Sequence, residues 1–156
     1  MSLERFHDAQ ASRWSGYDTA LGEIRRGRKA SHWIWYIFPQ IAGLGRSATA
    51  ETYALSDLAE ARAYLRDPVL RARYEEIAGA VAEQLSHVAT LDDLMGSRTD
   101  ALKLVSSITL FRAAAQSEAG EPSKFAALEK CCDSILEQST AQGYPPCAQT
   151  LARIAP

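Results

Sequence analysis

The chain has 156 residues, 47% of them hydrophobic and 23% charged, and 17 basic against 19 acidic side chains leave a net charge of −2. That length and balance fit one ordinary domain with its own core and exclude a disordered or fibrous chain. A slightly negative chain has no bulk attraction for nucleic acid or an anionic membrane, so neither is expected as a partner.

Three cysteines, Cys131 and Cys132 adjacent and Cys147 apart, make no framework of pairs, which points to a reducing compartment. Residues 1–10 mix charges with apolar side chains, unlike a signal peptide. The longest unbroken apolar run, Trp33 to Phe38, falls far short of the roughly 20 residues that span a bilayer. A soluble, cytoplasmic protein is the expectation.

Leu3 to Ile24 reads as helix in two pieces, broken around Ser12 to Gly16. In the second piece Tyr17, Ala20, Leu21 and Ile24 share a face, and Gly27 after Arg25 and Arg26 is ordinary helix-stop chemistry. Trp33 to Phe38 has the composition of a buried strand, but a lone strand would lack a pairing partner, so a short buried helix is expected. Ser56 is expected to cap a helix that turns Leu58, Ala61 and Leu65 inward and stops before Pro68. There Asp67 as cap and Pro68 as first residue open the next helix. Its apolar stripe is Leu70, Tyr74, Ile77, Val81 and Leu85, at helical steps. Thr90 and Asp93 have capping-box spacing for a short helix ending before Gly96.

Asp100 to Gln116 is apolar on nearly every side, the signature of a central helix covered by others. Pro122 is expected to open a helix whose stripe is Phe125, Leu128, Cys132, Ile135 and Leu136, with Gly143 after its end. Pro145 and Pro146 then lead into a last helix carrying Cys147, Leu151 and Ile154. The sum is an all-α fold, a single domain over residues 1–156 with about six to eight helices around one core.

Three features could carry chemistry. Lys29 to Gln40 gathers His32, Trp33, Trp35, Tyr36 and Phe38 in one stretch of a chain that is only 8% aromatic. Such a segment serves as a core plug, as a pocket wall with rings to stack on a ligand and His32 as general acid or base, or as both at once. Gly43-Leu-Gly-Arg-Ser47 is either a plain loop or a close backbone approach to an anion beside Arg46. Asp100, Lys103, Ser106 and Ser107 form a polar stripe on the oily central helix. Lys103 then either pairs with Asp100 toward solvent or holds an anion in a polar cavity. The run Arg25 to Lys29 reads as a solvated helix end, and Cys131 and Cys132 as small core residues. His7, His32 and His87 and the cysteines lack metal-ligand spacing, so no metal site and no cofactor are implied.

Ser31-His-Trp-Ile-Trp, Ile37-Phe-Pro-Gln, Gly43-Leu-Gly-Arg-Ser and Lys103-Leu-Val-Ser-Ser-Ile-Thr-Leu-Phe111 resemble the bacterial domain-of-unknown-function family 1810, members of which have sometimes carried a calpastatin label. The likeness extends through Phe6, Tyr17, Tyr53, Tyr64 and Pro68 and covers about residues 3–111; Ile34 and Ile108 stand where the family usually has Met. The resemblance implies an all-helical domain and a helix at Trp33 to Phe38. It carries Lys29, His32, Gln40, Arg46, Ser47, Lys103, Ser106 and Ser107 over as recurring polar positions, and it implies no activity.

Together these readings give a small anionic or nucleotide-like ligand as the expected partner. Trp33 or Trp35 would stack on it, Lys29, Gln40, Arg46, Ser47, Ser106 and Ser107 would bind it, and His32 and Lys103 would act in any hydrolysis or group transfer. The alternative is a non-catalytic helical module that binds another protein.

Overall fold

The computed structural model describes residues 2–87, 89–118 and 124–156. Ten helices follow one another among the described residues: α1 (Glu4–Gln10), α2 (Tyr17–Arg25), α3 (Ile34–Ile37), α4 (Ala48–Tyr53), α5 (Leu58–Arg66), α6 (Pro68–Ser86), α7 (Leu91–Met95), α8 (Arg98–Ser117), α9 (Ala126–Ala141) and α10 (Ala148–Ile154). The count exceeds the expected six to eight because short pieces such as α3, α4 and α7 are helices in their own right. Among the described residues the one β-type pairing is an isolated bridge between Ile41 and Leu55. No helix among the described residues is long and apolar enough to cross a membrane.

Helix α8 is the axis. Ala101, Leu104, Val105, Ile108, Leu110, Phe111, Ala114 and Ala115 are buried around its circumference, and α3, α5, α7, α9 and α10 all pack on it. The stripe of α6 is buried as its spacing predicts, and so is that of α9. Edge-to-face rings tie the layers together: Phe6 meets Tyr64, Phe38 meets Tyr74, and Tyr64 meets Phe111 with centroids 5.1–5.6 Å apart. The buried hydroxyls in this cluster are satisfied, Tyr64 by the Gln10 amide and Tyr74 by Ser107 Oγ at 2.9 Å.

Most helix starts follow from local chemistry. Asp67 Oδ1 accepts from the amides of Val69 and Leu70, Thr90 Oγ1 from Asp93, and Ser97 Oγ from Asp100. One cap is corrected: Asp57, not Ser56, caps α5, accepting from the Glu60 amide, while Glu60 Oε1 takes the Ser56 N–H. Pro122 lies outside the described residues. Helix α10 is also corrected: Thr150 is its buried side chain, and Leu151, expected inward, is 47% exposed.

Two glycines are required by their surroundings. A Cβ on Gly16 would sit 2.2 Å from the Ser12 carbonyl oxygen, so the α1–α2 turn closes only without a side chain. Gly96 ends α7 at φ +82°, and a Cβ there would meet the Lys29 carbonyl at 3.2 Å. Gly96→Ala is therefore expected to cost about 1–2 kcal/mol. A shift in the urea midpoint at constant slope checks it.

Candidate functional site

The aromatic segment is held from below by one carboxylate. Glu23, on α2 and 5% exposed, accepts from the backbone N–H groups of Ala30 (2.8 Å) and Ser31 (2.9 Å), from Ser31 Oγ (2.5 Å) and from Trp33 Nε1 (2.8 Å). Burial acts to raise its pKa, but the hydrogen bonds from Ser31, Ala30 and Trp33 outweigh burial and hold it at about 2. Beside it Lys29, buried, donates to the Ser31 carbonyl at 2.6 Å and pairs with Asp100 at 2.9 Å. Its ammonium also lies 4.9 Å from the Trp33 ring centre. The network fixes α3 between α2 and the start of α8, and so sets where Trp35 stands.

Above α3 a cleft of about 520 Å³ opens between three segments: Gln40 to Gly45, the first half of α8, and residues 143–149. Leu44, Leu102, Val105, Pro145 and Pro146 give it apolar walls. Its polar lining includes Gln40, Arg98, Lys103 and Ser106, and among the described residues no Asp or Glu lines it. Lys103 is half-buried with its ammonium 5.3 Å from the centre of the Trp35 ring. Arg98 lies 5.1 Å over Tyr144, whose hydroxyl donates to Asp92. Burial and Asp92 together push the Tyr144 pKa upward, so the phenol stays neutral. Neither Lys103 nor Arg98 has a carboxylate within ion-pair distance among the described residues.

Residues singled out from the sequence therefore separate. Gln40, Lys103 and Ser106 line the cleft, and Trp35 lies under Lys103 and borders a water-sized pocket that shares Gln40 and Gly45 with it. Trp35 Nε1 is buried there without a hydrogen-bond partner. Asp100 does not pair with Lys103, because Lys29 takes it. Lys29 and Trp33 belong to the Glu23 network, Trp33 being fully buried with no face free to stack on a ligand. Ser107, fully buried against Tyr74, points away from the stripe it shares in sequence. Ser47 caps α4, Arg46 is exposed, and His32 is exposed with its carbonyl holding the Tyr36 hydroxyl; none of the three lines the cleft.

The sequence reading missed the opposite wall: Arg98, Tyr144, Pro145, Pro146 and Cys147. The signal for it was a double proline immediately before a helix, which fixes the entering backbone and places Cys147 at the helix boundary. Across the mouth, Arg153 of α10 donates to the Gly43 carbonyl at 3.3 Å, joining the two rims.

The model of a family described as protein of unknown function (DUF1810) matches residues 1–143, and the chain belongs to that family. The fold is similar to the crystal structure of the conserved hypothetical protein Rv1873 from Mycobacterium tuberculosis, at 34% identity and a TM-score of 0.81 over 99% of this chain and 96% of that one. No curated protein matches. The family match ends where the second wall of the cleft begins.

Proposed function

We propose that this member of the family binds a small organic anion in the cleft between α8 and residues 143–149. One observation carries the reading: two cations, Lys103 and Arg98, line one cavity that holds, among the described residues, no carboxylate to neutralise them. Each is instead laid on an aromatic ring, which steadies the charge and leaves its donors for a ligand. The apolar walls suit the body of a nucleotide, sugar phosphate or carboxylate metabolite. The reading is one of binding. A hydrolase or transferase would need an acid–base group, and His32 lies outside the cleft.

The test is a thermal-shift panel of nucleotides, sugar phosphates and carboxylates on wild type and Lys103→Ala. A ligand at 100 times its dissociation constant should stabilise the wild type by about 2.7 kcal/mol, and the mutant should lose nearly all of that. A ligand that stabilises both proteins equally would remove the cleft from the account. The interaction-module reading has less support, because the large exposed apolar side chains, Trp14, Val69, Leu102 and Leu151, come from four separate segments.

A further inference from the structure

Of the three thiols, two belong to the interior of α9. Cys132 is fully buried and Cys131 half-buried, and burial raises the pKa of both, which keeps them protonated and slow. Cys147 differs in place and in surroundings. It is half-buried and lines the same cleft as Lys103 and Arg98. Its own backbone N–H is pinned by Thr109 Oγ1 at 3.0 Å, and Pro145 and Pro146 stiffen the approach, so the thiol has a fixed position.

Two polar groups converge on that thiol. Ser106, from α8, shares the cleft wall with it. Thr150 Oγ1, one turn along α10, is wholly buried and has no hydrogen-bond partner among the described residues, and its hydroxyl favours the thiolate of Cys147. Burial acts against the thiolate, but the Ser106 and Thr150 hydroxyls and the amides of Thr150 and Gln149 outweigh it and bring the pKa below its usual value. A thiol and two cations with no carboxylate partner among the described residues thus share one cavity, and an orphaned hydroxyl lies buried one helical turn from the thiol.

We propose that Cys147 is a thiol-modification site, and that the cleft selects anionic low-molecular-weight disulfides as its partners. The proposal rests on the anion-binding reading, since Lys103 and Arg98 supply the selection. The Cys147 thiol gives up its proton, and its sulfur attacks one sulfur of the disulfide. A new S–S bond forms, the original one breaks, and the leaving thiolate takes up a proton. The disulfide is the oxidant, so no other redox partner is needed. The product places an anionic group beside Lys103 and blocks the cleft to a free ligand, which makes modification a switch on binding.

The test compares two disulfides, anionic oxidised glutathione and neutral bis(hydroxyethyl) disulfide, with sites and rates read by mass spectrometry of the intact protein and its peptides. Cys147 should react at least about 10-fold faster than Cys131 with both reagents. Lys103→Met should slow the glutathione reaction about 5-fold or more and leave the neutral reagent unchanged. Raising the salt on wild type should do the same without any substitution. Cys131 reacting as fast as Cys147, or the same ratio of the two reagents with and without Lys103 and at every salt, overturns the proposal. Cys147→Ser keeps both cations and separates the two readings. If phosphate compounds stabilise it while wild-type Cys147 stays inert, this proposal falls and anion binding stands. If Cys147 reacts without preference for anions and no phosphate compound stabilises either protein, both fall.

Discussion

Glu23→Ala is expected to destabilise the fold by about 3 kcal/mol, because it strands the buried Trp33 indole N–H, which costs roughly 1–3 kcal/mol when left unpaired, and loosens the part-buried donors of Ala30 and Ser31. The amides of Ala30 and Ser31 and the Trp33 indole N–H have no other acceptor in reach of their bonds to Glu23. The same carboxylate makes stability depend on pH. Its pKa is about 2 in the folded protein against an ordinary 4.5. A lowered folded-state value means the stabilisation is complete above the ordinary pKa and is lost as pH falls through the folded one. The difference corresponds to about 3 kcal/mol. Glu23→Gln keeps the shape and an acceptor oxygen but has nothing to titrate. Denaturant unfolding from pH 6 to pH 2 should show a steeper decline in wild type than in Glu23→Gln. Parallel curves would mean that the network is held by something other than the carboxylate charge. Asp67 and Glu118, also lowered, contribute to both proteins and cancel in the comparison.

Lys29→Met is expected to cost about 3 kcal/mol, as for a buried ion pair broken from one side. The lysine is 8% exposed and its partner Asp100 opens the first turn of α8, so loss of the pair loosens the junction of that helix with the Ser31 segment. A double-mutant cycle with Asp100→Asn checks the mechanism. The second substitution should cost much less in the Lys29→Met background than in wild type, with a coupling of at least about 1 kcal/mol. Additive effects would show that Lys29 acts through its contacts with Trp33 and the Ser31 carbonyl and not through its pairing with Asp100.

Much of the fold was legible because it rests on short-range rules. The stripe of α6 and the caps at Asp67 and Thr90 depend on spacing within one helix, and the chain obeys them. The site was legible only in part, because it depends on which residues of a helix face which neighbour. Asp100, Lys103, Ser106 and Ser107 look like one stripe, yet each meets a different partner: Lys29, Trp35, the cleft and Tyr74. An all-round apolar helix has no outer face to fix its rotation, so spacing alone did not say how its polar residues divide. His32 shows the converse. Trp33 and Ile34, which follow it, are drawn into the core, and His32 stays at the surface end of the segment with its side chain in solvent. The wall carrying Cys147 was missed because α10 buries Thr150 and leaves Leu151 in solvent, so the apolar spacing of the last helix did not show which side faces the cleft.

That weak anchoring has a consequence for kinetics. Helix α10 is seated through the buried Thr150, the half-buried Ile154 and hydrogen bonds near its two ends, Cys147 N–H to Thr109 and Arg153 to Gly43, whereas α8 is gripped on every side. Its amide protons should exchange through a local opening far below the global unfolding free energy, exposing the cleft floor while the rest of the molecule stays closed. Association through such an opening is gated, so tightening the helix would slow ligand arrival as well as departure. Residence time could then be adjusted at Leu151 or Arg153 with little change in melting temperature, because those positions lie outside the core that sets it.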